Sequence, residues 1–314
     1  MSAYRLDQIA AKQYKLQAEE AELLAAPAWA EILELLFPES MVYLAFYKGD
    51  EPLAVLFLQQ RRRLGVAQIH TPLLTPWTAV TWQQPRSGHD LRRHHLHLTA
   101  TLAAWTQRHY HQAAFKFAPT APDIRSFQWA GWSSRWRYSY QLEGSREADA
   151  ALRKKLRRLP DLAVTVEEPT PVLGEVITAA LAEHNFTNLP PDLLFRWIRE
   201  LVAAGLAHCL VARHDGQVVA LQLLLERGSW RGLWLQLTLP RQRAATPGTH
   251  LVEAILQTNE GYTLDFLGAD DPGIDEHKSA FGGELTCYPE VLWFRNGWLR
   301  SYYFRRHRSG HRGR

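Results

Sequence analysis

Two stretches of this 314-residue chain match each other without a gap. Residues 44–54 read LAFYKGDEPLA and residues 210–220 read LVARHDGQVVA, at a constant shift of 166 positions. A second match, of the segment 117–124 with 266–274, follows in the same order. Because internal repeats determine architecture before any other pattern does, we expect two related halves.

The two halves show the same order of secondary-structure patterns. The first half has a helical pattern at 6–36, strand patterns at 42–47, 53–60 and 64–70, a helix at 90–109 and a strand at 113–117. The second half has helices at 173–184 and 192–204, strands at 208–212, 217–225 and 230–239, a helix at 248–259 and a strand at 263–266. Hairpin turns favour antiparallel neighbours, and the helical crossover allows a parallel one. The expected fold class is therefore α/β, with a mixed sheet in each half.

Composition indicates a folded protein of a reducing compartment. Hydrophobic residues make up 46% and charged residues 22% of the chain, which is typical of a globular domain and not of a disordered one. Two cysteines cannot form a disulfide framework. No apolar run has the length of a signal peptide or a membrane span, so we expect a soluble, cytoplasmic protein without a transmembrane segment.

Basic residues are concentrated in two places. Five lie at 153–158, and six arginines lie between Arg300 and Arg314, although the net charge of the chain is only +4. Such clusters attract phosphates, nucleic acid or anionic lipid. The alternative is a solvated helix face and a frayed tail.

Several short motifs near the C-terminus and in the first half resemble one family. The segments LDFLG at 264–268 and IDEHKSAFG at 274–282 resemble the D-F-x-G … F-K-x-x-F-G signature of FemAB-like proteins, which are tandem-GNAT transferases. The helix start TPGTHL at 246–251 is similar to the S-P-G-x-x-L of that family. FQWAGW at 127–132 and YSY at 138–140 resemble its F-x-W-x-G-[FW] and Y-T-Y segments. His277 departs from the pattern, because the family has an aromatic residue there.

The resemblance implies two GNAT-like (acyl-CoA N-acyltransferase) mixed-sheet units in tandem. We expect an N-terminal half at 1–144, a basic linking helix at 145–160, a C-terminal half at 161–296 and an Arg-rich tail at 297–314. The implied function is transfer of an acetyl, acyl or aminoacyl group onto an amine. The donor would be acetyl-CoA, another acyl-CoA or aminoacyl-tRNA, and the acceptor a small molecule or a cell-wall precursor.

A second hypothesis is a non-catalytic binding module that retains the duplicated fold. It would hold an anionic partner, such as nucleic acid, lipid or a carrier protein, in a groove or at the Arg-rich tail. The acetyl-CoA loop Q/R-x-x-G-x-G/A is only weakly matched by residues 243–249, which favours this alternative. The presence of Lys278 and of Pro247-Gly248, as the resemblance requires, favours the enzyme.

The helix start at 246–251 predicts a donor-binding site. Backbone N–H groups at a helix N-terminus and the helix dipole favour a phosphate group there. Thr246, Gly248 and Thr249 lie in this turn, and Arg243 adds positive charge. The structural alternative is an ordinary helix start that Thr246 caps.

Three residues are candidates for catalysis. The resemblance places Lys278 beside the acceptor or the transferred group, where an ammonium stabilises developing negative charge. Asp265 is a carboxylate within an apolar strand pattern, and it acts either as a general base or as a structural partner. Tyr138 offers a hydroxyl as an acid.

Aromatic residues and a histidine are candidates for substrate binding. Trp129, Trp132 and Tyr140 either line a groove between the halves or form a core. His184 ends a predicted helix, where histidine serves as a base or as a structural C-terminal residue. The histidines between 89 and 111 lack cysteine or carboxylate ligands in a recognised arrangement, so no metal is expected.

Overall fold

The computed structural model describes residues 3–19, 21–83, 88–120, 123–144, 150–156, 162–183, 189–239 and 246–308. The chain divides into two compact units. Unit 1 comprises Met1–Arg137 with Cys287–Arg314, and unit 2 comprises Tyr138–Thr286. The divisions fall inside two strands, so each unit contains part of a strand from the other half of the sequence. The predicted halves, at 1–144 and 161–296, describe the duplication in the sequence, and their bounds differ from those of the compact units. The division into these halves stays a prediction.

Unit 1 is a mixed sheet with helices. Its strands are β1 (Tyr4–Ile9), β2 (Met41–Lys48), β3 (Glu51–Arg63), β4 (Val66–His70), β5 (Thr81–Trp82), β6 (Gln112–Lys116), the start of β7 (Ser133–Glu143) and most of β13 (Glu284–Phe294). Its helices are α1 (Ala11–Gln17), α2 (Pro27–Leu36), α3 (Gly88–His109), α4 (Arg125–Trp129) and α10 (Gly297–Arg308), with a 3₁₀ turn at Leu23–Ala25. The order β1-β2-β3-β4-β6-β13 is antiparallel except for the parallel pair β4–β6. Its core is rich in aromatic side chains, which include Phe46, Phe115, Phe117, Phe127 and Trp132.

Unit 2 has the same kind of sheet. Its further strands are β8 (Ala163–Val166), β9 (Ala207–His214), β10 (Gln217–Arg227), β11 (Trp230–Thr238) and β12 (Thr263–Asp265). Its helices are α5 (Ala150–Leu156), α6 (Pro171–Glu183), α7 (Pro191–Ala203), α8 (Pro247–Gln257) and α9 (Pro272–Ser279). The order is β7-β12-β11-β10-β9-β8, and β11–β12 is the parallel pair. The predicted α/β fold class with mixed sheets is confirmed.

The hairpins of the two units share an irregularity as well as a sequence pattern. Hairpin β2–β3 and hairpin β9–β10 both begin at the 166-residue offset of the repeat. In the first hairpin the register shifts so that Leu53 has no opposite residue, and in the second Val219 has none. These β-bulges lie at equivalent positions. Because a bulge is a specific local feature, the shared position supports duplication over a chance match of two hairpins.

The helical prediction for 6–36 is only partly right, because the segment contains two separate helices, α1 and α2, and its N-terminal end is a strand. Residues 4–9 form strand β1, which pairs antiparallel with β2 from Tyr4/Lys48 to Ile9/Tyr43. Leu6 is buried by this pairing, and the Tyr4 ring stacks 3.9 Å from His97 and 5.5 Å from Phe46. Tertiary packing of this kind overrides weak local preference for a helix.

Candidate active site

Strands β11 and β12 separate after a short parallel pairing. Their register runs from Trp230/Thr263 to Gly232/Asp265, where β12 ends, whereas β11 continues to Thr238. Within the described ranges, no strand pairs with residues 233–238 of β11 on that side. Gly232 allows Leu267 to approach, because a Cβ atom there would lie 2.8 Å from Leu267 Cδ1. The sheet of unit 2 thus has a gap with an unpaired strand edge along one wall.

Helix α8 begins against the free part of β11. The Gln236 side-chain amide donates to the carbonyl oxygen of Gly248 at 2.8 Å. A Cβ atom on Gly248 would lie 2.4 Å from Gln236 Nε2, so this close approach requires glycine or a displaced glutamine. Gly248 and Thr249 are buried. The start of α8 is therefore held beside the gap, as a donor-binding turn requires.

Thr246 does not act as the side-chain cap that the structural alternative predicts. It occupies the N-cap position in a left-handed conformation with φ of 43°, and its hydroxyl makes no capping hydrogen bond. Arg243, the fourth predicted donor-binding residue, lies outside the described residues. The donor-binding roles of these residues stay predictions.

Asp265 is a buried carboxylate whose oxygens both accept hydrogen bonds. Oδ1 accepts from Ser139 Oγ at 2.6 Å and from the Leu267 N–H at 2.8 Å, and Oδ2 accepts from Gln141 Nε2 at 2.8 Å. Burial raises the pKa of this carboxyl, whereas the three donors and the Lys278 charge oppose that rise. Its contacts fix the chain where it leaves β12, which favours the structural alternative for Asp265.

Lys278 reaches the same segment from α9. Its ammonium donates to the carbonyl oxygens of Phe266 and Gly268, each at 2.5 Å. The chain turns there through left-handed conformations at Leu267 and Gly268, with φ of 49° and 103°. Burial lowers the pKa of Lys278 to about 8, against the attraction of Asp265 and Asp270. A half-buried lysine that titrates close to neutral pH therefore lies at the closed end of the gap.

The tyrosines of β7 have different surroundings. The Tyr140 hydroxyl donates to Asp275 Oδ1 at 2.8 Å, and this bond raises its pKa. The Tyr138 side chain is 41% exposed. The Tyr138 N–H donates to the Asp270 carboxylate at 3.1 Å, and its carbonyl oxygen accepts from the Ala269 N–H at 2.7 Å. Tyr138 is thus the accessible hydroxyl of the pair, and Tyr140 is held by α9.

The other predicted substrate-binding residues are not in this cluster. Trp132 is buried in the core of unit 1, with its ring 4.8 Å from Phe127 and 5.5 Å from Phe115. Trp129 belongs to α4 in unit 1, is 70% exposed and stacks under Arg125 at 5.6 Å. Core packing accounts for Trp132, and a substrate role for Trp129 stays a prediction. His184 lies outside the described residues.

Sequence reasoning missed the polar residues that support the site. Ser139 and Gln141 hold Asp265, Asp275 holds Tyr140, and Gln236 contacts Gly248. One signal was present: in the strand segment YSYQ, the small and amide side chains alternate with the tyrosines. Alternation places Ser139 and Gln141 on one face of β7, which is the face that meets Asp265.

The equivalent gap in unit 1 is filled by its own chain. The third strand is interrupted after His70, and residues 71–80 pass between β4 and β5. Thr78 forms a parallel bridge to Phe117, and its N–H donates to the Lys116 carbonyl at 2.7 Å. Thr71 Oγ1 accepts from Lys116 N at 2.8 Å and lies 2.8 Å from Thr78 Oγ1. Among the residues that the structure describes, the gap is open in unit 2 alone.

Comparison with known proteins agrees with this architecture. Residues 145–279 match the family model of the acetyltransferase (GNAT) domain. The crystal structure of FemX superposes with a TM-score of 0.64 at 12% identity, covering 95% of this chain and 99% of that one. A tandem GNAT protein from the clavulanic acid biosynthesis pathway gives 0.57 at 12% identity, covering 94% and 99%.

A third similar structure has a lipid-related name. The C-terminal domain of a protein described as a lysylphosphatidylglycerol synthetase, from Agrobacterium fabrum, gives a TM-score of 0.56 at 13% identity, covering 94% and 95% of the two chains. No protein of curated function matches the sequence. At such low identities the three structures show a shared fold. The domain match adds that residues 145–279, in the second half of the sequence, are similar to an acetyltransferase (GNAT) domain.

Neither a membrane-spanning helix nor a metal-ligating cluster is found among the described residues. None of their helices combines the length and the apolar character needed to cross a membrane. Likewise, no group of three or more histidine, cysteine, aspartate or glutamate side chains within them is arranged to hold a metal ion.

Proposed function

We propose that the chain is an N-acyltransferase whose donor binds in the gap between β11 and β12 of unit 2. The observation that carries this proposal is Lys278, a half-buried lysine with a pKa of about 8, placed where β12 leaves β11. Strongly perturbed groups of this kind are concentrated at functional sites. An ordinary surface lysine would not donate to two backbone carbonyls of the turn that follows β12.

The unpaired edge of β11 favours a thioester donor with an extended, amide-containing arm, such as acetyl-CoA or another acyl-CoA. The free edge of β11 offers backbone groups for such an arm, and the start of α8 offers N–H groups for a phosphate. The matched domain supports this donor class, because its description is that of an acetyltransferase.

Aminoacyl-tRNA is the second candidate donor. It is supported by the F-K-x-x-F-G-like motif around Lys278 and by the fold shared with FemX and with a protein described as a lysylphosphatidylglycerol synthetase. The acceptor in either case is an amine or another nucleophile of a small molecule or a cell-wall precursor.

Each residue of the site has its own role in the proposed transfer step. The amine nitrogen attacks the acyl carbon, the C–N bond forms, and the bond to the leaving sulfur or oxygen breaks. Two N–H groups of Lys278 are held by carbonyls, and the third stabilises the negative charge that develops on the acyl oxygen. The proton lost by the amine passes to the leaving group through water or the accessible Tyr138 hydroxyl. Asp265 positions the segment that holds Lys278.

The test compares two lysine variants of unit 2. Radiolabelled acetyl-CoA and aminoacyl-tRNA are each offered to the purified chain with a panel of amines. Lys278→Met should lower kcat/KM by about 100-fold, as loss of one oxyanion-stabilising group does. Lys154→Met, which changes an exposed lysine of α5, should not alter the rate. Equal activity of the two variants would reject the role of Lys278, and absence of transfer from both donors would reject the proposed function.

A further inference from the structure

Helix α10 exposes a pair of stacked aromatic rings. Trp298 is 64% and Tyr302 is 50% exposed, and their ring centroids lie 5.8 Å apart with planes inclined by 15°. On its other side the helix is anchored, because Leu299 is buried and the Tyr303 ring packs 5.2 Å from Phe294. The helix is thus fixed to unit 1 by one face and presents Trp298 and Tyr302 on another.

The same region carries only positive charge. Residues 291–314 contain seven arginines and no aspartate or glutamate. Of these arginines, Arg300 and Arg305 are exposed on α10. Arg305 follows Tyr302 by three residues and Trp298 by seven, so the three residues share a face of the helix.

We propose that α10 binds an anionic membrane surface. Tryptophan and tyrosine are enriched at membrane–water interfaces, where the apolar ring is buried and the polar group stays hydrated. A helix with an aromatic face and basic residues lies in the plane of the interface, and arginine attracts anionic headgroups. This attachment is independent of the acyl-transfer site, since α10 belongs to unit 1.

The aromatic arrangement favours lipid over nucleic acid as the partner. Single-stranded nucleic acid binds by inserting bases against open aromatic faces. Here the Trp298 and Tyr302 rings already lie nearly parallel and cover each other in part. A compact apolar pair flanked by arginines instead fits the boundary between headgroups and acyl chains.

The test is co-sedimentation of the full chain with vesicles. Vesicles of phosphatidylglycerol and phosphatidylcholine should bind the protein, and vesicles of phosphatidylcholine alone should not. The double variant Trp298→Ser/Tyr302→Ser should weaken binding by at least about 10-fold, since it removes the apolar anchor. Arg300→Gln/Arg305→Gln should weaken vesicle binding by about 30-fold, and high salt should also weaken it.

Matched controls separate α10 from general surface charge. Trp129→Ser removes an equally exposed tryptophan of unit 1, and Arg62→Gln/Arg63→Gln removes two exposed arginines of β3. Both controls should bind vesicles like the unaltered chain, and all variants should keep its thermal midpoint. Equal weakening by the controls, or no vesicle binding, would overturn the proposal. Binding to a single-stranded RNA oligonucleotide in place of vesicles would overturn it in favour of nucleic acid.

Discussion

Two charged side chains of unit 2, the buried Asp265 and the half-buried Lys278, are held by hydrogen bonds at the end of β12. The Asp265 oxygens receive three donors from Ser139, Gln141 and Leu267. The Lys278 ammonium has three N–H groups, and two of them are held by carbonyl oxygens. The carboxylate therefore serves as a fixed anchor, and in the proposed transfer step the third N–H group of Lys278 is the one that faces the substrate.

Replacing the anchor should lower stability. Asp265→Asn places an NH₂ group where an acceptor is needed, so at least one buried donor loses its partner. The expected loss is about 1–3 kcal/mol in the free energy of unfolding, measured by denaturant titration. Asp215→Asn is the matched control, because Asp215 lies 91% exposed in the β9–β10 turn and asparagine tolerates its left-handed backbone. Identical unfolding midpoints for the two variants would contradict the anchoring role.

The pH dependence of transfer should report on Lys278. Its pKa in the folded protein is about 8, so the charged fraction falls as pH rises through 8. Because the ammonium form is the one that stabilises negative charge, kcat/KM should decline above pH 8. Lys278→Arg keeps its charge in that range and should lack this decline, whatever its residual rate. A rate that instead rises through pH 8 would assign Lys278 as a base.

The individual residues of the site were only partly predictable. Lys278 and Asp265 lie within one short motif, and the motif is visible in the sequence. Ser139 and Gln141 lie 126 and 124 positions away from Asp265, so no local pattern links them to it. Their pairing depends on the register of β7 against β12, which is a long-range contact.

Among the elements, helix α8 offers a test that separates packing from ligand binding. Gly248→Ala places a methyl group against the Gln236 side chain, so some stability is lost. Adding Gln236→Ala removes that clash and should restore the thermal midpoint. Acetyl-CoA affinity should stay about 10-fold reduced in the double variant, because the methyl group still covers the backbone N–H groups that a phosphate approaches. Recovery of both stability and affinity would make Gly248 a packing residue alone.

Elements built from local contacts were predicted well, and those built from distant ones were not. The β2–β3 and β9–β10 hairpins follow from their turn residues, and α3 and α8 lie within two residues of their predicted starts. The sequence predicts a helix where strand β1 lies, because the six residues of β1 carry only a weak strand pattern. The partner strand β2 is more than thirty positions away in the sequence. The sequence patterns predict none of the strands β5, β7, β8 and β13.

For the whole molecule, duplication has produced two units with unequal gaps. In unit 1 the third strand is divided into β4 and β5, and Thr78 joins Phe117 across the position that stays open in unit 2. In unit 2, β11 is continuous over nine residues and its edge beyond Gly232 is unpaired within the described part of the chain. Sequence comparison of the halves predicted the duplication but not the filled gap, which depends on buried hydroxyl contacts of Thr71 and Thr78.

This inequality predicts one donor site per chain. Titration calorimetry with acetyl-CoA should give a stoichiometry of one, because a ligand in unit 1 would have to displace the hydrogen bonds that join Thr71 and Thr78 to Lys116. Gly248→Ala should weaken that single site. Thr78→Val, which alters the filled gap of unit 1, should change neither the stoichiometry nor the affinity. Two equivalents of acetyl-CoA per chain, or a Thr78→Val variant with reduced affinity, would show that unit 1 also takes part in donor binding.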